Sequence, residues 1–144
     1  MKILFLGDVV GISGCSVVLN NLLTQIENNE IDFVVVNGEN AAEAGVGITE
    51  KICKDFFNCG VDVITTGNHV WDQKEAMSYI ENESRLLRPK NLFEPSPGNG
   101  FGIFTSKNGV KVGVLNLMGN VFMKKCEDVF KEAENFMKKY KLKE

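Results

Sequence analysis

Histidine is almost missing from this sequence of 144 residues, in which His69 is the only one. A transition-metal site built mainly of imidazoles is therefore excluded within it, because those are the ligands that bind such metals most strongly. The four cysteines, Cys15, Cys53, Cys59 and Cys126, show no CxxC spacing, so neither a zinc ribbon nor a dithiol redox motif is present. Cys53 and Cys59 read as small hydrophobes on the core side of a helix, and a reduced, cytoplasmic setting is the default. No stretch reaches the ~18 apolar residues of a membrane-spanning helix. The opening run Ile3 to Leu6 meets Gly7-Asp8 too soon to serve as a signal peptide. Basic residues are scattered, the net charge is −3, and nothing resembles a nucleic-acid-coating face. The one basic cluster, Lys138 to Lys143, reads as a solvated helix end that complements the helix dipole.

What is present is an alternating pattern. Lys2–Gly7 is a short continuous apolar run, the mark of a buried strand. Val18, Leu19, Leu22, Leu23 and Ile26 fall at helical spacing between Cys15 and about Asn28. Phe33 to Val36 is a second strand, rich in β-branched residues and stopped by Asn37-Gly38. Thr49 is placed to cap a helix carrying Ile52, Phe56 and Phe57 and closing at Gly60. Val61 to Thr66 follows as a third strand. Asp72 with Glu75 predicts a capping box for a helix to about Glu81. This β-α-β-α-β-α order predicts parallel strands joined by right-handed crossovers. Beyond Asn91–Gly100, an irregular connection, the runs Phe101–Ser106 and Val110–Leu117 flank Asn108-Gly109 and predict a hairpin. Phe130, Ala133, Phe136, Met137 and Tyr140 share one face of a final helix and read as core. No repeat interrupts residues 1–144, which read as one domain.

Polar residues concentrate just past the strands. Asp8 follows the first, Glu39-Asn40 the second and Asn68-His69 the third. In an open parallel sheet, ligands bind beyond the carboxyl ends of the strands, so these residues are expected at one edge. Two carboxylates and two amides supply hard oxygen ligands suited to manganese, iron or magnesium. A carboxylate bridging two cations could hold them for an in-line phosphoryl displacement, with the imidazole protonating the leaving oxygen. Gly7, Gly38 and Gly67 precede the candidate ligands and read as sharp backbone turns. A dinucleotide-binding reading fails, because Gly11-x-x-Gly14 does not make GxGxxG.

Gly7-Asp8-Val9-Val10-Gly11, Asn37-Gly38-Glu39-Asn40-Ala41-Ala42 and Thr66-Gly67-Asn68-His69-Val70-Trp71-Asp72 resemble, in order, three signatures of the YmdB-type calcineurin-like metallophosphoesterases. Arg88-Pro89-x-Asn91, Pro97-Gly98-x-Gly100 and Asn116-Leu117-Met118-Gly119-x-Val121-Phe122-Met123 extend the likeness over nearly the whole chain. The resemblance implies a calcineurin-like metallophosphoesterase α/β sandwich, with a parallel β-α-β-α-β half followed by a β-hairpin and a C-terminal helix. It implies two divalent metal ions, iron or manganese. Asp8 and Asn40 would ligate the first, Asn68 the second, Glu39 would bridge both, and His69 would be the proton donor. It implies hydrolysis of phosphodiesters such as 2′,3′-cyclic nucleotides, with RNA left open as a substrate and no membrane partner.

Family members also carry later histidines that complete the metal shells, and no residue after Asn91 here is of that kind. The expectation is thus a truncated, incomplete domain. It is either an enzyme completed by self-association or by a separate C-terminal chain, or a catalytically silent binding module. Plainer roles are expected elsewhere: Arg88-Pro89 as a structural turn with Arg88 also able to meet a phosphate, Trp71 as packing, and Glu43 with Gly45–Gly47 as a mobile loop over the pocket mouth.

Overall fold

Strand β2 (Phe33–Asn37) organises a computed structural model of the chain, which describes residues 1–93 and 95–140. Phe33, Val34, Val35 and Val36 are all buried, as a central parallel strand covered on both faces requires. It lies between β1 (Ile3–Leu6) and β3 (Val63–Thr65), and β4 (Leu86–Leu87) completes a parallel sheet in the order β1-β2-β3-β4. Strand β4 has no counterpart in the sequence pattern, since two apolar residues carry no periodicity. The third strand is also shorter than the run Val61 to Thr66: the Val61 N–H still closes back on Phe56 O, while the Asp62 N–H already reaches Val34 O of the neighbouring strand.

Parallel strands need crossovers, supplied by α1 (Gly11–Asn29), α2 (Glu50–Asn58) and α3 (Lys74–Ile80). Their apolar stripes cover a single face of the sheet. Val18 and Leu22 of α1, Cys53 and Phe56 of α2 and Ile80 of α3 pack with Val34, Val36, Ile64 and Leu86. Thr49 caps α2 as expected, its hydroxyl accepting from the Ile52 N–H at 3.3 Å. The capping box expected of Asp72 and Glu75 does not form. Helix α3 starts after Gln73 without a side-chain cap, and Glu75 instead accepts from the Glu50 N–H.

The alternate residues Phe33, Val35, Val63 and Leu87 face the other way, onto Phe104, Val112 and Val114. These come from the predicted hairpin, β5 (Phe101–Thr105) and β6 (Lys111–Leu115), which pair antiparallel. Its turn needs Gly109, whose φ of +82° lies in the left-handed region. Helix α4 (Val129–Lys139) lies on the hairpin's outer side, capped by Asp128, with Phe136 and Tyr140 against Phe101. Its stripe is not core. No residue of α4 is buried, and Phe130 is 78% exposed. Lys138 and Lys139 do stand in its last turn, while Lys141 and Lys143 lie outside the described residues.

Buried amides join the layers. Asn116 donates to the carbonyls of Thr66 and Leu87 at 2.8 and 3.0 Å, linking the end of β6 to the ends of β3 and β4. Asn91, fully buried, donates to the carbonyls of Met118 and Glu127 and accepts from the Met118 N–H. Arg88 is structural as well: its guanidinium donates to the carbonyls of Pro89, Ser96 and Pro97. Ile3 and Phe5 stand beside Phe33 and Val35 on the hairpin face, yet remain 49% and 61% exposed because the hairpin does not reach β1. Among the described residues no helix is long and apolar enough to cross a membrane.

Removing the Asn91 amide leaves several buried backbone groups unpaired, so Asn91→Ala is expected to lower the unfolding free energy by about 2–4 kcal/mol. Phe130→Ser is expected to change it by less than about 0.5 kcal/mol. Urea unfolding of both variants checks the contrast.

Candidate metal-ligating site at the strand ends

Because all four strands of the sheet run parallel, the residues after β1, β2 and β3 emerge at one edge. The backbone knits them there: the Val9 N–H donates to Asn37 O, and the Gly11 N–H to Asn40 O. Asn40 Nδ2 donates to Asp8 Oδ2 at 2.7 Å, so the first and second strand ends meet through side chains as well. The third is brought to the second at Glu39, whose carboxylate lies against Gly67. Asp8, Glu39, Asn40 and the Asn68-His69 segment are thus assembled at one edge, with Asn68 half-buried on the turn between Gly67 and Val70.

Two oxygens in this cluster lack a hydrogen-bond donor. Glu39 Oε2 and Asn40 Oδ1 are buried without a partner among the described residues. Buried acceptors are normally paired, and here two stand close to the Asp8 carboxylate. Burial raises the Glu39 pKa, and the Asp8 charge raises it further; the His69 N–H and Asn37 side chain oppose the rise. No proton donor satisfies these oxygens, whereas a hard cation would. The donor set therefore fits the divalent metals that the sequence implies. Among the described residues no three His, Cys, Asp or Glu side chains form a metal-holding group, which leaves Asp8 and Glu39 as the carboxylates and the amides as the remaining candidates.

The glycines before these residues serve proximity rather than turning. None of Gly7, Gly38 and Gly67 has a positive φ. A Cβ on Gly38 would stand 2.8 Å from Ile48 Cδ1, and one on Gly67 would overlap Glu39 Oε2 and stand 2.6 Å from its Cδ. The loop at Glu43 and Gly45–Gly47 is likewise pinned rather than free. Ala42 N–H donates to Gly47 O, Gly45 N–H to Ala42 O and Gln73 Nε2 to Val46 O. Trp71 packs against the helix-side core as expected. The contact that sequence reasoning misses is that of Asp72, whose Oδ2 lies 2.6 Å from His69 Nδ1. The His-x-x-Asp spacing is visible in the sequence, but a helix-capping role accounts for the same carboxylate.

The sequence profile of the YmdB-like protein family matches residues 4–144. The chain belongs to that family. It is 39% identical over 137 residues to the 2′,3′-cyclic-nucleotide 2′-phosphodiesterase of Bacillus subtilis (strain 168), an alignment covering 95% of this chain and 51% of that protein. Among solved structures, a hypothetical protein from Thermus thermophilus matches with a TM-score of 0.89 at 32% identity, over 97% of this chain and 54% of that one. A phosphatase from Mycoplasma pneumoniae matches with a TM-score of 0.86 at 32% identity, over 96% and 51%. The chain spans about half the length of the curated relatives that it matches, 43–51%. The mixed α/β fold, with its parallel sheet and two-stranded antiparallel sheet, is thus shared with that phosphatase.

Two variants test this geometry. Gly67→Ala forces only the flexible end of Glu39 to move; stability is expected to fall by no more than about 1 kcal/mol, while manganese(II) affinity measured by calorimetry drops at least about tenfold. Glu39→Gln addresses the raised pKa. Between the ordinary carboxylate value of 4.5 and its raised value, Glu39 binds more protons folded than unfolded. The metal-free protein therefore loses stability as pH rises through that window. Glu39→Gln is expected to melt higher than wild type at pH 7 without metal, with the advantage shrinking in acid. Equal melting curves at pH 7 would contradict the assignment.

Proposed function

We propose that this chain provides the N-terminal metal-binding half of a calcineurin-like metallophosphoesterase sandwich that hydrolyses phosphodiesters, 2′,3′-cyclic nucleotides being the substrate class favoured by its relative. The observation that carries the proposal is the pair of buried, donorless oxygens, Glu39 Oε2 and Asn40 Oδ1, beside Asp8 at the edge that also bears Asn68 and His69. Asp8 and Asn40 would hold one divalent metal, Asn68 another, and Glu39 would bridge them; iron or manganese suits such oxygen donors. The metals would supply the positive charge that polarises the phosphoryl oxygens. The chain's own residues do the rest. The Asn40 amide fixes the Asp8 carboxylate, and the His69 ring delivers a proton to the departing ester oxygen.

A second reading is a catalytically silent module that acts by binding or self-association. It is favoured by the single histidine, which leaves few strong ligands for the metals, and by the uncovered Ile3 and Phe5 beside the open edge of β1. Completion by a second copy or by a chain that supplies further ligands is the corresponding route to activity.

Anaerobic loading with iron(II) or manganese(II), followed by elemental analysis and a 2′,3′-cyclic nucleotide assay, separates the readings. The expected result is bound metal with turnover, and His69→Ala is expected to lower turnover about 10²–10⁴-fold at unchanged metal content. A folded chain that retains no metal would favour the silent module, and full turnover by His69→Ala would reject the proton-donor role.

A further inference from the structure

We infer that Asp72 is the positioning residue for His69, holding its imidazole with the proton on Nδ1 and leaving Nε2 as the nitrogen that meets the substrate. The inference deepens the proposed function and rests on His69 being the proton donor there.

A neutral imidazole carries one N–H and one bare nitrogen, and the partner of either nitrogen decides which is which. An ionised carboxylate can only accept, so the 2.6 Å contact between Asp72 Oδ2 and His69 Nδ1 places the hydrogen on Nδ1. The distance is short even for a charge-assisted bond. The local chain keeps the two residues together. The Asp72 N–H donates to the His69 carbonyl at 3.1 Å, and between them Val70 is buried and Trp71 packs on the core. Asp72 is also free of the task first expected of it, because α3 takes no side-chain cap from it. His69 thus meets Asp72 at two points, its carbonyl with the Asp72 N–H and its ring with the Asp72 carboxylate.

The proton path then follows. In the charged ring the second hydrogen sits on Nε2, the side away from Asp72. As the oxygen of an attacking water bonds to phosphorus and the P–O bond to the leaving group breaks, the Nε2–H bond breaks too and an O–H bond forms on the leaving oxygen. The neutral ring stays Nδ1-protonated against Asp72, and the proton that the water releases to solvent balances the one needed to recharge the ring. An ordinary half-exposed ion pair would add little stability; the positioning role adds direction.

The single histidine makes the test direct, since every imidazole ¹⁵N signal belongs to His69. Long-range ¹H–¹⁵N correlation spectra of the metal-free chain are recorded well above the ordinary imidazole pKa of about 6.5. Wild type is expected to show a protonated Nδ1 and a bare Nε2, and Asp72→Ala to shift the population towards Nε2–H. An Nε2–H ring in wild type overturns the inference without any variant. An unchanged Nδ1–H signature in a folded Asp72→Ala protein overturns it as well. On manganese-loaded protein, Asp72→Ala is expected to lower kcat about 10–100-fold with KM and metal content unchanged, and equal kcat also overturns it. A wild-type chain with no turnover but the Nδ1–H signature would strike the phosphodiesterase proposal and uphold the pairing.

Discussion

Parallel pairing is the constraint on which this structure depends. Neighbouring parallel strands cannot be joined by tight turns, so each must be followed by a crossover long enough to return the chain to its starting end. All four strands of the main sheet therefore finish at the same edge. That edge is where backbone leaves the ladder and side chains are released from the alternation of faces. Asp8, Glu39-Asn40 and Asn68-His69 come from three separate stretches of sequence, and the crossovers bring them together.

The same constraint shapes the layers. A parallel strand buried on both faces needs apolar residues at every position, and Phe33 to Val36 provide them. One set of alternate residues meets the helices and the other meets the hairpin. Joining such layers takes side chains that reach across the strand ends. Asn116 does so by spanning the Thr66 carbonyl and the Leu87 carbonyl, which also accepts from Thr66, and Asn91 does the same for the segment after β6. These amides fall at the same edge as the candidate ligands. They do different work, and the difference is visible in their bonding: Asn91 and Asn116 are paired with backbone, while Asn40 keeps one buried oxygen without a donor.

The cluster thus costs stability, as a site proposed to hold metal would. Glu39 is held in a place where burial and the neighbouring Asp8 charge disfavour its ionised form, and the missing side chain of Gly67 clears space for it. A protein selected only for folding would have paired or replaced that carboxylate. Such uncompensated polar groups are the observation on which the proposed metal site rests.

Much of the order of elements was legible in the sequence, because apolar periodicity, the Thr49 cap and the Asn108-Gly109 turn are local signals that local physics obeys. The polar residues after successive strands were legible too, and their meeting at one edge followed from topology. Other features needed tertiary structure. Whether the α4 stripe was core depended on what lay opposite it, and only Phe101 and its neighbours were there. Asp72 had two possible partners at short range, the helix start and the His69 ring, and propensity could not choose between them. The glycines offered both conformational freedom and lack of bulk, and only the packing of Glu39 and Ile48 selected the second. Sequence by itself determined which chemical groups were available and in what order they came; the fold decided which of them were left unpaired, because pairing is a property of neighbours distant along the chain.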